Sequence, residues 1–64
     1  MISLQRPNGK PLLVNADLIE TVEADESGTT VVTLTTGNSL VVTETPDAVR
    51  EAVVAFRRSI VASS

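Results

Sequence analysis

Carboxylates are the first side chains in this sequence to consider for chemistry. Two carboxylates held close together can act as a general acid and a general base. Glu20 and Glu23 cannot share a face of a regularly alternating strand, and Asp25-Glu26 has no neighbouring Asp-x-Asp calcium pattern. We therefore expect a solvated surface rather than a site. The eight carboxylates are Asp17, Glu20, Glu23, Asp25, Glu26, Glu44, Asp47 and Glu51.

Other catalytic and metal-binding groups are scarce in the sequence. The chain has no histidine and no cysteine, which removes the usual general base, the commonest metal ligand and the thiolate. The serines and threonines do not occur in a Gly-x-Ser-x-Gly turn, and the three glycines form no phosphate-binding loop. The sequence therefore predicts a protein that is not an enzyme, with no catalytic residue, no cofactor and no metal.

Size and charge limit the remaining functions. The 64 residues make one domain, 1–64, and so short a chain buries only about 60% of its unfolded surface. With neither a disulfide nor a metal to add stability, we expect a homo-oligomer. The net charge of −3 disfavours nucleic acid as a partner. Because no apolar stretch could span a membrane and the N-terminus lacks a signal-peptide pattern, we expect a cytoplasmic protein without membrane insertion.

Residues 1–44 have the composition and periodicity of a β-sheet. Val, Thr, Ile and Leu dominate, and turn residues separate short runs of them. The pattern predicts an antiparallel meander of about five short strands, twisted or curled into a partial barrel. The predicted strands are 2–6, 10–14, 19–24, 29–35 and 39–43. The third needs a late start or a bulge, because Ile19 and Val22 are three residues apart.

Turn residues separate the predicted strands. Asn8-Gly9 predicts a two-residue type I′ hairpin, since both residues accept a positive φ. Pro7 belongs at a strand end or edge, because it has no N–H to donate. Asn15-Ala16-Asp17 interrupts the strand pattern, since Asn and Asp side chains bond to nearby backbone. A polar loop at 25–28 and a hairpin turn at 36–38 complete the set.

Residues 46–62 change to helical periodicity, so the fold class is α+β. Thr45 is the predicted N-cap, Pro46 suits the first helical position, and Asp47 favours the positive helix start. Phe56, the only aromatic residue, is predicted to anchor the core. The apolar stripe that should cover the sheet consists of Val49, Ala52, Val53, Phe56 and Ile60.

Some apolar residues are left outside the predicted core. Leu13, Val31 and Val41 fall on the strand face opposite Leu12, Val32, Leu40 and Val42, where they are either scattered surface residues or a subunit interface. Val54 and Val61 form a second helix stripe with the same two interpretations. Beside them, Arg50, Arg57 and Arg58 are either solubilising charges or, with these valines, a docking face for a protein partner.

Two blocks of residues resemble a known family in type and order. The first is Asn8-Gly9-Lys10, and the second is Asn15-Ala16-Asp17-Leu18-Ile19-Glu20. With Met1-Ile2 ahead of them and Thr33-Leu34-Thr35 behind, nearly the whole chain resembles the flagellar FlbD family, also called the swarming-motility SwrD family. The family motif residues in this sequence are Asn8, Gly9, Lys10, Asn15, Asp17, Leu18, Ile19 and Glu20.

The resemblance implies a non-enzymatic cytoplasmic protein that supports motility, by raising motor power through contact with a protein at the cytoplasmic face of the flagellar motor or its stator. It implies no catalytic residues. An alternative is an RNA-binding regulator similar to the CsrA carbon-storage family, which also has five short strands and a C-terminal helix. The RNA contacts of that family need basic strand edges, whereas the strands here are rich in Thr and acidic residues. A LytTR-like DNA-binding module is disfavoured by the short, acidic chain. A small structural protein that only self-associates is a further alternative.

Overall fold

In the part of the chain that the structure describes, five strands precede one α-helix. The computed structural model describes the backbone of residues 1–63 and the side chains of residues 1–59. The elements are β1 (Ile2–Gln5), β2 (Pro11–Val14), a short 3-10 helix (Ala16–Leu18), β3 (Ile19–Ala24), β4 (Thr30–Leu34), β5 (Ser39–Val42) and α1 (Pro46–Ser63). The predicted α+β class is confirmed, and no predicted boundary of a strand or of α1 differs by more than one residue from the structure.

The strands are divided between two antiparallel sheets, which do not close into a barrel. β1 pairs with β2, and the second sheet has the order β3-β4-β5. The predicted interruption at Asn15 separates them. Its side-chain Oδ1 accepts a hydrogen bond from the Asp17 N–H at 3.0 Å, and its carbonyl accepts one from the Leu18 N–H at 3.0 Å. These bonds form the 3-10 turn that carries the chain from the first sheet into the second.

The three hairpins share one turn geometry. They span Arg6–Lys10, Asp25–Thr29 and Leu34–Asn38, and in each the glycine N–H donates to the carbonyl of the first residue at 2.9 to 3.1 Å. The glycines have φ values of 86°, 90° and 94°, which side chains strongly disfavour. This is a type I turn followed by a left-handed residue.

The predicted type I′ turn at Asn8-Gly9 is therefore wrong, although the hairpin itself is confirmed. A type I′ turn needs a positive φ at both central residues, and among the described residues only glycines have one. Pro7 explains the difference. It occupies the second position of the turn, where its fixed φ favours type I.

One core joins both sheets and the helix. Its buried apolar residues are Ile2, Leu4, Val14, Ala16, Val32, Val42 and Val49. Half-buried residues pack around them: Leu12, Ile19, Val22, Leu34, Leu40, Ala52, Val53 and Phe56. Phe56 thus packs against the core as predicted, but Val49 is the helix residue that is fully buried. The side chain of Ile60, also predicted for this stripe, lies outside the described residues.

Two local predictions are confirmed. Ile19 pairs with Leu34 but Thr21 pairs with Thr33, so the pairing register shifts between them and β3 contains the expected bulge. The Thr45 side chain caps α1, because its Oγ1 accepts from the Ala48 N–H at 3.1 Å. The helix then packs against β1 and β3, so it contacts one strand of each sheet.

Gln5 connects the two sheets through its backbone. The Arg6 N–H donates to the Lys10 carbonyl, so Arg6 and Lys10 are a hydrogen-bonded pair. Because hydrogen-bonded and non-hydrogen-bonded pairs alternate along antiparallel strands, the backbone groups of Gln5 point away from β2. Its carbonyl accepts from the Thr43 N–H at 2.9 Å, just after β5 ends. Its N–H donates to both carboxylate oxygens of Glu44 at 3.0 Å. The Glu44 carboxylate thus takes a bond that a strand carbonyl normally accepts.

Replacing Glu44 with alanine should lower stability, because the Gln5 N–H then has only water as a partner. We expect a loss of about 1 kcal/mol in the free energy of unfolding and a fall in Tm of roughly 4–8 °C. Urea denaturation followed by circular dichroism measures it. Glu51→Ala is the control, since Glu51 is exposed on α1. Equal stability of the two variants would contradict the role of this junction.

Candidate functional site

The carboxylates do not converge on a catalytic or metal-binding site. Within the described part of the chain, no group of three or more Asp, Glu, His or Cys residues could hold a metal ion. Asp25 instead accepts bonds within its own turn, from the Glu26 N–H at 2.9 Å and the Ser27 hydroxyl at 2.8 Å. Glu44 is engaged by Gln5. The candidate functional regions are therefore surfaces.

The first surface, the outer sheet face, consists of Leu13, Val31 and Val41. Leu13 is 66% exposed and Val41 45% exposed, whereas Val31 is half-buried. Val31 pairs directly with Val41 across β4 and β5, and the exposed Glu23 of β3 pairs with Val31 on its other side. Leu13 belongs to the other sheet, where it pairs with Ser3. The structure therefore brings two of the three residues into direct contact range.

The second surface, the helix surface, was predicted from Arg50, Val54, Arg57, Arg58 and Val61. All three arginines are exposed. Val54 is half-buried but is not among the described residues that pack against the core. The side chain of Val61 lies outside the described residues. Spacings of four and seven put Arg50, Val54 and Arg57 on one side of the helix.

The family motif residues mostly shape the backbone. The Asn8 Oδ1 accepts from the Lys10 N–H at 3.0 Å, which closes the first turn around Gly9. Asn15 caps the 3-10 helix. The Leu18 carbonyl accepts from the Thr35 N–H at 2.7 Å and so ties this helix to the end of β4.

The remaining motif residues differ in exposure. Ile19 is half-buried and packs against the core, whereas Asp17, Leu18 and Glu20 are exposed.

A groove that sequence reasoning missed lies between the first hairpin turn and β5. Its volume is about 460 Å³ and it is open to solvent. One side is formed by Arg6, Pro7, Asn8 and Leu12, and the other by Ser39, Leu40 and Val41. No local pattern signals it, because its two sides are about thirty residues apart in the chain.

These observations define a small α+β domain of two sheets and one α-helix. Candidate interaction surfaces lie on the sheets and on the helix. A family model described as FlbD, flagellar and swarming motility proteins, matches residues 1–61. The chain belongs to this family, which suggests a role in flagellar or swarming motility, and the predicted resemblance is confirmed. The family is one of motility proteins and is not a known enzyme family.

Comparison with curated proteins and with solved structures gives no match. None of the helices in the described part of the chain is long and apolar enough to cross a membrane.

Neighbouring valines on β4 provide a test of which sheet face packs against the core and which does not. Val32→Thr should cost about 1–3 kcal/mol, because Val32 is 0% exposed and the new hydroxyl would be buried. Val31→Thr should change the stability of a single copy by less than about 0.5 kcal/mol, since Val31 lies on the opposite face. Both substitutions keep β-branching, so strand propensity is matched. Urea denaturation measures the difference, and equal losses would contradict the assignment of faces.

Proposed function

We propose that this chain is a non-enzymatic cytoplasmic protein that supports flagellar motility, raising motor power by contact with a protein of the motor or its stator. The family match over residues 1–61 carries this proposal. The chemistry of the chain supports it, since a sequence without histidine or cysteine has few means of catalysis. Its effect on the motor is then exerted through binding.

The helix surface is the proposed contact with the motor protein. Arg50 and Arg57 present guanidinium groups on one side of α1, and Arg58 lies beside them. Guanidinium groups pair with carboxylates in a fixed two-pronged geometry, and arginine is enriched in protein interfaces. Val54 between the arginines adds apolar area. The proposed partner therefore presents an acidic surface with apolar residues at its centre.

The outer sheet face is the proposed contact between copies of the chain. Leu13 and Val41 expose large apolar side chains. Val31 adds to the patch on β4. The core that a single copy can build is small, with seven buried apolar residues among those described. Burying the outer face in a homo-oligomer would add apolar burial that a single copy lacks.

Reversing charge on the helix surface should impair motility in the native cell. A strain lacking the gene should build a normal number of flagella but generate less torque, and the native gene should restore it. The double variant Arg57→Glu and Arg58→Glu should fail to restore torque, because it repels an acidic partner. Rotation of tethered cells under load measures torque, and microscopy counts flagella.

Thr36→Glu is a control for negative charge added away from the helix, since Thr36 is exposed in a turn. Immunoblots should show equal amounts of each protein. Normal torque in the deletion strain would reject the motility proposal. Full rescue by the double arginine variant would reject the helix surface and leave the motility role standing.

Self-association has a separate test. Light scattering on the purified protein should give a mass that is a multiple of the 6.7 kDa chain. Leu13→Ser combined with Val41→Thr should return the mass to that of one copy, since it removes apolar area from the outer sheet face. Thr35→Ser is the control, because Thr35 is exposed outside this face. A single-copy mass for the native protein would contradict the proposal.

A further inference from the structure

The free edge of β5 carries unpaired backbone groups. The Leu34 N–H donates to the Asn38 carbonyl at 2.8 Å, so these two residues form a hydrogen-bonded pair. From there, non-hydrogen-bonded and hydrogen-bonded pairs alternate along β4 and β5. Leu40 and Val42 therefore direct their backbone groups to β4, whereas Ser39 and Val41 direct theirs outward. Thr43 fits the same alternation, because its N–H reaches outward to the Gln5 carbonyl at 2.9 Å. Unlike Thr43, the outward backbone groups of Ser39 and Val41 have no backbone partner among the described residues.

These outward groups face the groove. Ser39 and Val41 line it, together with the apolar side chains of Leu12 and Leu40. Arg6 and Pro7 form the opposite wall. The groove thus combines an unpaired strand edge, apolar side chains and a positive charge at one rim. A strand edge of this kind is a template for another strand.

We propose that this groove binds a short extended segment of a partner protein, which adds to β5 as a strand and carries an acidic side chain toward Arg6. The main chain of the segment bonds to Ser39 and Val41. Alternate side chains point to Leu12 and Leu40, as in other cases of strand addition. Two outward-facing residues on β5 set the length of the segment at about three to five residues.

The shape of the groove favours a single segment over a second folded copy of this chain. In a symmetric pairing of two β5 edges, each copy would bring its own first hairpin to the contact. The turn at Arg6 and Pro7 already stands beside the edge, so the two hairpins would meet there. An isolated extended segment has no such wall of its own.

Charge also points to an acidic segment. The first turn contains Arg6 and Lys10, and no carboxylate falls within residues 1–16. Arg6 therefore gives this rim of the groove a positive charge, although the whole chain is acidic and the Glu44 carboxylate contacts the backbone of the neighbouring Gln5. This site is separate from the helix surface and does not depend on the role in motility.

The probe is a synthetic peptide, acetyl-Asp-Val-Thr-Val-Asp-amide, titrated into the ¹⁵N-labelled full chain. Amide NMR signals of Ser39 and Val41 should shift and their hydrogen exchange should slow, because these N–H groups acquire acceptors. A peptide with Lys in place of both Asp residues should bind about tenfold more weakly. Added salt should reduce this difference.

Three variants sharpen the test. Val41→Pro removes an outward N–H, which an edge strand tolerates, and should abolish binding. Glu26→Pro is the control: it places a proline at the second position of an exposed turn outside the groove, where proline fits, and should bind like the native chain. Arg6→Glu changes only an exposed turn residue, so it should fold normally and reverse the preference between the two peptides.

Several results would overturn the proposal. Shifts confined to residues outside the groove would place the peptide elsewhere, and no shifts at millimolar peptide would show that the groove binds no such segment. Equal binding of the acidic and basic peptides would remove the role of Arg6. Hydrogen exchange of the Ser39 and Val41 N–H groups that slows as protein concentration rises without peptide would show that a second copy occupies the edge. Each of these results leaves the torque test of the motility proposal unaffected.

Discussion

The burial of two small sheets against each other is the constraint on which the rest of this structure depends. A two-stranded sheet is marginal in water, and the β1-β2 hairpin has four residues in each strand. Its inner residues Leu4 and Val14 become buried only because the second sheet and α1 cover them. The bonds from Gln5 to Thr43 and Glu44 hold the two sheets in this relation. The groove and the outer sheet face are both consequences of it.

Local structure was predictable from the sequence because it depends on neighbouring residues. Alternation located the strands, the spacing of Ile19 and Val22 indicated the bulge, and Thr45-Pro46 marked the start of the helix. The turn type at Asn8 was mistaken because Asn-Gly suits more than one hairpin geometry. Pro7 decides between them: its φ is negative and fits the second position of a type I turn.

The way the two sheets are held together was not predictable in the same way. It depends on bonds between Gln5 and Glu44, which are 39 residues apart, and no periodicity reports such a pairing. The groove depends on the same long-range arrangement. The outer sheet face was more accessible to prediction, because alternation alone places Val31 and Val41 opposite the buried Val32. Binding by such residues depends on the shape and charge of the partner's surface, which the sequence of this chain does not contain.

The family motif and the interaction surfaces have different positions in the molecule. Asn8 and Asn15 form bonds that shape turns, and the Leu18 carbonyl ties the 3-10 helix to β4. A likeness carried by such residues conveys information about the scaffold more directly than about what the scaffold binds. The arginines of α1 and the edge of β5 lie outside the motif, so substitutions there leave these scaffold bonds in place. A change of partner can therefore leave the fold intact, and function has to be tested on those surfaces.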